Sequence, residues 1–166
     1  MFIGNDTEFS SKELYGMIGK KIKNRDVELF VTACKGGASL EDRGLLPENT
    51  KIVTLSKQSE STYGSQVENL SEAVSSINGE LTAMGLLKTY LAKCVKNRGA
   101  TPQFAISDHQ SIVDFDYLYD EALKAIKDIE SKSHTESQKG LNYCNQLFKL
   151  EEKIKELTSE ERYKKR

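Results

Sequence analysis

No apolar stretch in the 166 residues approaches the ~20 needed to cross a bilayer, and the N-terminus lacks the basic-then-apolar pattern of a secretory signal. A membrane-spanning chain, or one exported by that route, is therefore not expected. Cysteine is scarce. Cys34, Cys94 and Cys144 are odd in number, widely spaced and without a CxxC pair, which argues against a disulfide scaffold and against a zinc site. They suit a reducing cytoplasm, and neither a metal nor another cofactor is expected. An excess of charge of one sign is missing too. Lys and Arg number 24 against 25 Asp and Glu, so attraction of the whole molecule to nucleic acid or anionic lipid is not expected. What remains is a chain long enough for one domain with one buried core and a helical appendage.

Ser10 followed three residues later by Glu13 forms a capping box, and Leu14, Met17, Ile18 and Ile22 then recur at helical spacing, which predicts a first helix over about 11–23. After a turn at 24–26, Val27 to Ala33 is β-branched and apolar on both faces, the pattern of a buried parallel strand. A polar loop containing Pro47 separates it from a second strand over 51–56. A helical stretch through about Val74, a break at Asn78-Gly79 and a stronger helix over 80–98 follow, then a short strand at 103–107. From Ser111 an amphipathic helix built on Phe115, Leu118, Leu123, Ile126 and Ile129 closes a domain of residues 1–132. The alternation of helix and strand predicts an α/β fold with a parallel sheet covered by helices, and places the chemistry at the carboxyl ends of strands.

Residues 133–166 read as a linker and a charged amphipathic helical arm. Leu141, Cys144, Leu147, Leu150, Ile154 and Leu157 keep three-to-four-residue spacing, and a basic end, Tyr163 to Arg166, follows a second cap pair at Thr158 and Glu161. A helix–helix partner could pair with the stripe through 141–157. Nucleic-acid binding is not expected, because the basic cluster is short and Glu151, Glu152, Glu156, Glu160 and Glu161 offset it.

The constellation that carries chemistry is a strand delivering Cys34 into a glycine-rich turn, Thr32-Ala33-Cys34-Lys35-Gly36-Gly37. A thiolate nucleophile needs exposure at a strand end, bare glycine amides can approach an oxyanion, and Lys35 can favour the thiolate. The bland reading is that Cys34 is a small buried apolar residue and that Gly36-Gly37 only turns the chain.

These residues resemble the nucleophile loop of the caspase-like cysteine peptidases, and within them the bacterial and metacaspase-type members. Cys34 matches the nucleophile, Gly37 the loop glycine, Leu40 the leucine and Glu41 the closing acid of a motif in which a cysteine, a glycine and a Leu-Asp pair follow a buried strand. The resemblance covers residues of about 8–130 and implies a partial caspase-like sheet, with Lys35, Gly36 and Gly37 as the oxyanion loop and Thr32 and Glu41 at a substrate pocket. The pattern departs from the family in two respects. Thr32 and Lys35 replace the usual acid and histidine, and the His-Gly that ends the strand before the nucleophile strand has no counterpart where Met1-Phe2-Ile3-Gly4 stands. His109 and His134 follow Cys34 instead. A domain incomplete at its N-terminus is the expectation, with Cys34 a relic nucleophile of weak or absent activity toward a peptide or protein ligand. A second resemblance, over 139–166, is to a helical stretch of insertion-sequence transposases of the sixty-six group, carried by Gly140 to Cys144, Leu147 to Glu151 and Leu157 to Arg162. The metal-binding acidic motifs of those enzymes are not recognisable here. The alternative expectation is a non-catalytic binding domain, or the remnant of a gene disrupted by a mobile element that supplied this tail.

Overall fold

A computed structural model describes residues 10–22, 25–62, 64–96 and 99–159. The expected first helix is α1 (Ser11–Lys21), with Ser10 and Glu13 closing the capping box in both directions. β1 (Glu28–Val31) follows and pairs in parallel with β2 (Lys51–Thr54), Val31 opposite Thr54. Between the two strands, residues Gly36–Leu45 form successive 3-10 turns. β1 is half-buried along its length while Ile52, Val53 and Thr54 are fully buried. The reason is position, since β1 borders the sheet among the described residues and β2 has neighbours on both sides.

The fold is the expected α/β one, with helices on the faces of a sheet whose parallel pairing is confined to β1 and β2. β3 (Gln103–Ile106) runs antiparallel to β2, and a fourth strand, β4 (Ile112–Asp114), runs antiparallel to β3, giving the order β1-β2-β3-β4. The helices decide this. α2 (Gly64–Ser75) leads away from the carboxyl end of β2, and α3 (Ala83–Thr89) with its π-helical turn at Tyr90–Cys94 leads back, as the Lys96–Glu72 ion pair and the Gln66–Ala100 bonds show. Two helical legs return the chain to the end of the sheet it had left, so β3 must enter in the reverse direction. The helix expected over 80–98 begins instead at the Thr82 cap, whose side chain accepts the Gly85 N–H. The helix expected from Ser111 begins at Asp116, because Ile112 to Asp114 pair with β3 first.

Two apolar cores sandwich the sheet. On one face Tyr15, Leu40, Leu46, Ile52 and Ala105 pack with Leu14, Ile18, Leu29 and Val31 under α1. On the other, Val53, Leu55 and Phe104 pack against α2, α3, α4 (Asp116–Lys132) and α5 (Glu136–Leu157). The expected arm is this 22-residue α5, which starts after a three-residue link and sends Leu150 and Ile154, each 2% exposed, into the same core as Leu87, Leu91, Ala122 and Ile126. The part of its apolar stripe from Leu147 to Leu157 thus has a partner within the chain, while Leu141 and Cys144 stay exposed. The readings made on Met1 to Gly4, on Glu161 and on the basic end lie outside the described residues.

Candidate functional site

β1 carries the chain to the carboxyl end of the parallel pair. Thr32 and Cys34 are exposed there, so Cys34 is not the buried apolar residue of the bland reading. Its S–H donates to the Thr62 carbonyl at 3.5 Å. Lys35 then takes a left-handed backbone (φ 57°) that turns the chain, and its N–H donates to the Glu60 carbonyl at 2.8 Å. The glycines follow, both buried. The Gly36 N–H donates to Ser56 Oγ at 2.8 Å and to the Ala33 carbonyl at 3.0 Å, while the Gly37 N–H donates to the Ser56 carbonyl at 2.8 Å.

The amides of the expected oxyanion loop thus have acceptors within the chain. An oxyanion hole needs donors aimed at open space where charge will develop. Here the two amides are satisfied by Ser56, whose Oγ also donates to the Ala33 carbonyl at 3.1 Å. Packing accounts for the second glycine, because a Cβ on Gly37 would collide with the Gln103 side chain and with the backbone of Lys57 and Gln58. Beneath the loop, the Tyr15 hydroxyl donates to Ser39 Oγ (2.9 Å), which donates to the Gly36 carbonyl (2.7 Å). Glu41 is exposed on the 3-10 segment outside this clasp, and its neighbour Asp42 accepts from Ser11 Oγ at 2.5 Å.

The loop after β2 is itself anchored. Glu60 accepts the N–H of Thr101 (2.6 Å) and of Lys57 (3.1 Å) on one carboxylate oxygen. The Thr101 hydroxyl lies 3.0 Å from the other and 2.8 Å from Asp116 Oδ1, and its single proton serves one of the two. Lys57 bridges Asp116 and Asp114, the latter at 3.1 Å, and the hydrogen bond to Asp116 holds its ammonium above the usual lysine value. Sequence reasoning missed Ser56, Glu60, Thr62 and Thr101. Ser56 reads as the last residue of the second strand and the other three sit in stretches that read as loops or turns, and only the parallel pairing of β1 with β2 sets the loop after β2 beside the cysteine turn.

Neither described histidine is placed to serve Cys34. Because β3 is antiparallel, Ile106 pairs with Lys51, at the end of the sheet where β1 and β2 begin. His109 follows there, its backbone N–H donating to the Ile106 carbonyl and its carbonyl accepting from Arg43. Four strand residues at ~3.3 Å each put about 10 Å of sheet between that end and the Cys34 turn, beyond hydrogen-bond reach. His134 lies past the far end of α4, whose 17 residues span about 25 Å from Asp116 beside Lys57.

Among the described residues no group of three His, Cys, Asp or Glu is arranged to hold a metal ion, and no helix is long and apolar enough to cross a membrane. The chain matches no family model, and neither curated proteins nor solved structures give a match.

Proposed function

We propose that the chain is a degenerate caspase-like cysteine peptidase domain in which Cys34 keeps the nucleophile's place without turnover. What supports the relic position is an exposed cysteine at the carboxyl end of a strand, leading into a glycine turn beside a parallel neighbour. The observation that carries the loss of chemistry is that the Gly36 and Gly37 amides donate to Ser56. The placement of His109 across the sheet points the same way. Absence of a positioned base alone lowers the rate by roughly 10²–10⁴-fold. The transposase-like resemblance of 139–166 adds no activity to this reading, since the inner face of α5 is committed to the core.

The test compares two electrophiles on the full chain. A peptidyl acyloxymethyl ketone should label Cys34 no faster, relative to iodoacetamide, than it labels an unstructured cysteine peptide, and fluorogenic peptides should show no turnover that Cys34→Ala removes. Saturable hydrolysis abolished by that substitution would sink the reading.

A further inference from the structure

The link between α2 and α3, residues 76–82, is tied at both ends and open in the middle. At its start the Ser76 and Ile77 N–H groups donate to the Ala73 and Val74 carbonyls, and Ile77 packs against the core. At its end Thr82 caps α3, and the Ala83 N–H is held by the Glu28 carboxylate at 2.6 Å. Between these ties Asn78 and Gly79 are exposed, and among the described residues neither forms a hydrogen bond through backbone or side chain. Gly79 has φ 118°, a conformation that side chains rarely tolerate, and apart from its chain neighbours nothing lies within 4 Å of where a Cβ would stand. An electrophilic carboxamide carbon is thus followed by a backbone nitrogen that no acceptor holds and no side chain shields.

The other described asparagines lack this combination. The N–H after Asn49 is that of Thr50, which donates to the Pro47 carbonyl and to Ser107 Oγ. The N–H groups after Asn69, Asn142 and Asn145 belong to Leu70, Tyr143 and Gln146, inside α2 and α5, where helical hydrogen bonds hold them.

We infer that Asn78-Gly79 is a site of self-modification, at which the chain converts Asn78 to aspartate and isoaspartate without an enzyme. The Gly79 nitrogen, its proton taken by hydroxide, forms a bond to Asn78 Cγ. The Cγ–Nδ2 bond breaks, and Nδ2 takes a proton from water and leaves as ammonia. A five-membered cyclic imide results. Water then adds to either imide carbonyl and breaks its bond to the ring nitrogen, which regains a proton. Opening at one carbonyl gives aspartate, and opening at the other reroutes the main chain through Cγ as isoaspartate. Hydroxide and water are the only co-reactants. Either product places a new negative charge beside Glu80, and isoaspartate adds a methylene to a link tied at both ends. Asn78 holds no neighbour in place, so the modified chain stays folded. This inference is independent of the reading of Cys34.

Peptide mapping by mass spectrometry tests it, on the full chain incubated at neutral and at mildly alkaline pH beside a free peptide of residues 76–81. A mass gain of about 1 Da confined to Asn78 is expected, with ammonia released in matching amount. Isoaspartate should accompany aspartate, and the rate should rise with hydroxide. That rate should lie within about tenfold of the free peptide's, as befits a segment with little local order. Asn78→Gln, which would need a six-membered ring, should remove the reaction, and circular dichroism should not change as it proceeds. Protection beyond tenfold relative to the peptide overturns the proposal, since the fold then keeps the link from closing the ring. So does modification centred on another asparagine, or aspartate formed without isoaspartate, the mark of direct hydrolysis.

Discussion

Ser56 holds the turn around Cys34 from two sides, with its hydroxyl between the Gly36 N–H and the Ala33 carbonyl and its own carbonyl accepting from Gly37. The residue is fully buried, so a lost partner is not replaced by bulk water. Ser56→Ala should therefore cost about 1–3 kcal/mol of stability in denaturant unfolding. It should also speed exchange of the Gly36 amide more than that of Gly37, whose acceptor is a backbone carbonyl that the substitution leaves in place. Equal, unchanged exchange at both glycines would remove Ser56 from this role. Arg43 does comparable work at the other end of the sheet, its guanidinium reaching the carbonyls of Leu40, His109 and Gln110 and tying the 3-10 segment to the β3–β4 turn. A lysine has no planar fork with which to make the three contacts together.

At the scale of elements, α5 illustrates how one apolar stripe can be read correctly and its partner missed. Leu150 and Ile154 are 2% exposed and join the core formed by α3, the π turn and α4. Lys88–Glu151 (3.3 Å) and the Lys153–Glu121 pair flank that contact, and Lys153 also sits 5.4 Å from the Tyr117 ring centroid. The flanking pairs are surface interactions worth at most about 1 kcal/mol each, so burial is what holds the helix in place. Leu150→Ala or Ile154→Ala should cost about 2–5 kcal/mol. Lys88→Ala should cost well under half of either, measured by the same unfolding titration. Losses below 1 kcal/mol at both core positions would show that α5 is a detachable arm after all.

For the whole molecule, buried titratable groups set the response to alkaline pH. Burial pushes the Cys94 thiol up to about 11 from an ordinary 9.0, and burial likewise drives the Tyr90 phenol far above its usual range. In the unfolded chain the Cys94 thiol loses its proton near its ordinary value, whereas the folded protein retains it. The stabilisation is thus complete below pH 9 and lost as pH rises toward 11, amounting to a loss on the order of 2 kcal/mol from this group. Replacing Cys94 with Val should flatten the fall in stability between those pH values, and thermal melts across the range measure it. An identical slope in wild type and variant would assign the alkaline loss elsewhere.

Local chemistry determined much of this protein from sequence alone. The capping box at Ser10 and Glu13, the apolar runs of β1 and β2, the Thr82-to-Cys94 and α5 periodicities and the delivery of Cys34 to a strand end all follow from interactions within a few residues. β4 escaped because three residues, Ile112 to Asp114, carry too short a pattern to distinguish from the start of the helix behind them. The rest was settled by long-range return of the chain. Two helical legs between β2 and β3 reversed the direction of β3, which sent His109 to the end of the sheet opposite Cys34. The parallel β1–β2 pair brought Ser56 under the cysteine turn, where its hydroxyl and carbonyl took the amides that the glycines had left available. A buried N–H takes whichever acceptor the fold brings within reach, and the neighbour that supplied it stands 20 residues away in sequence.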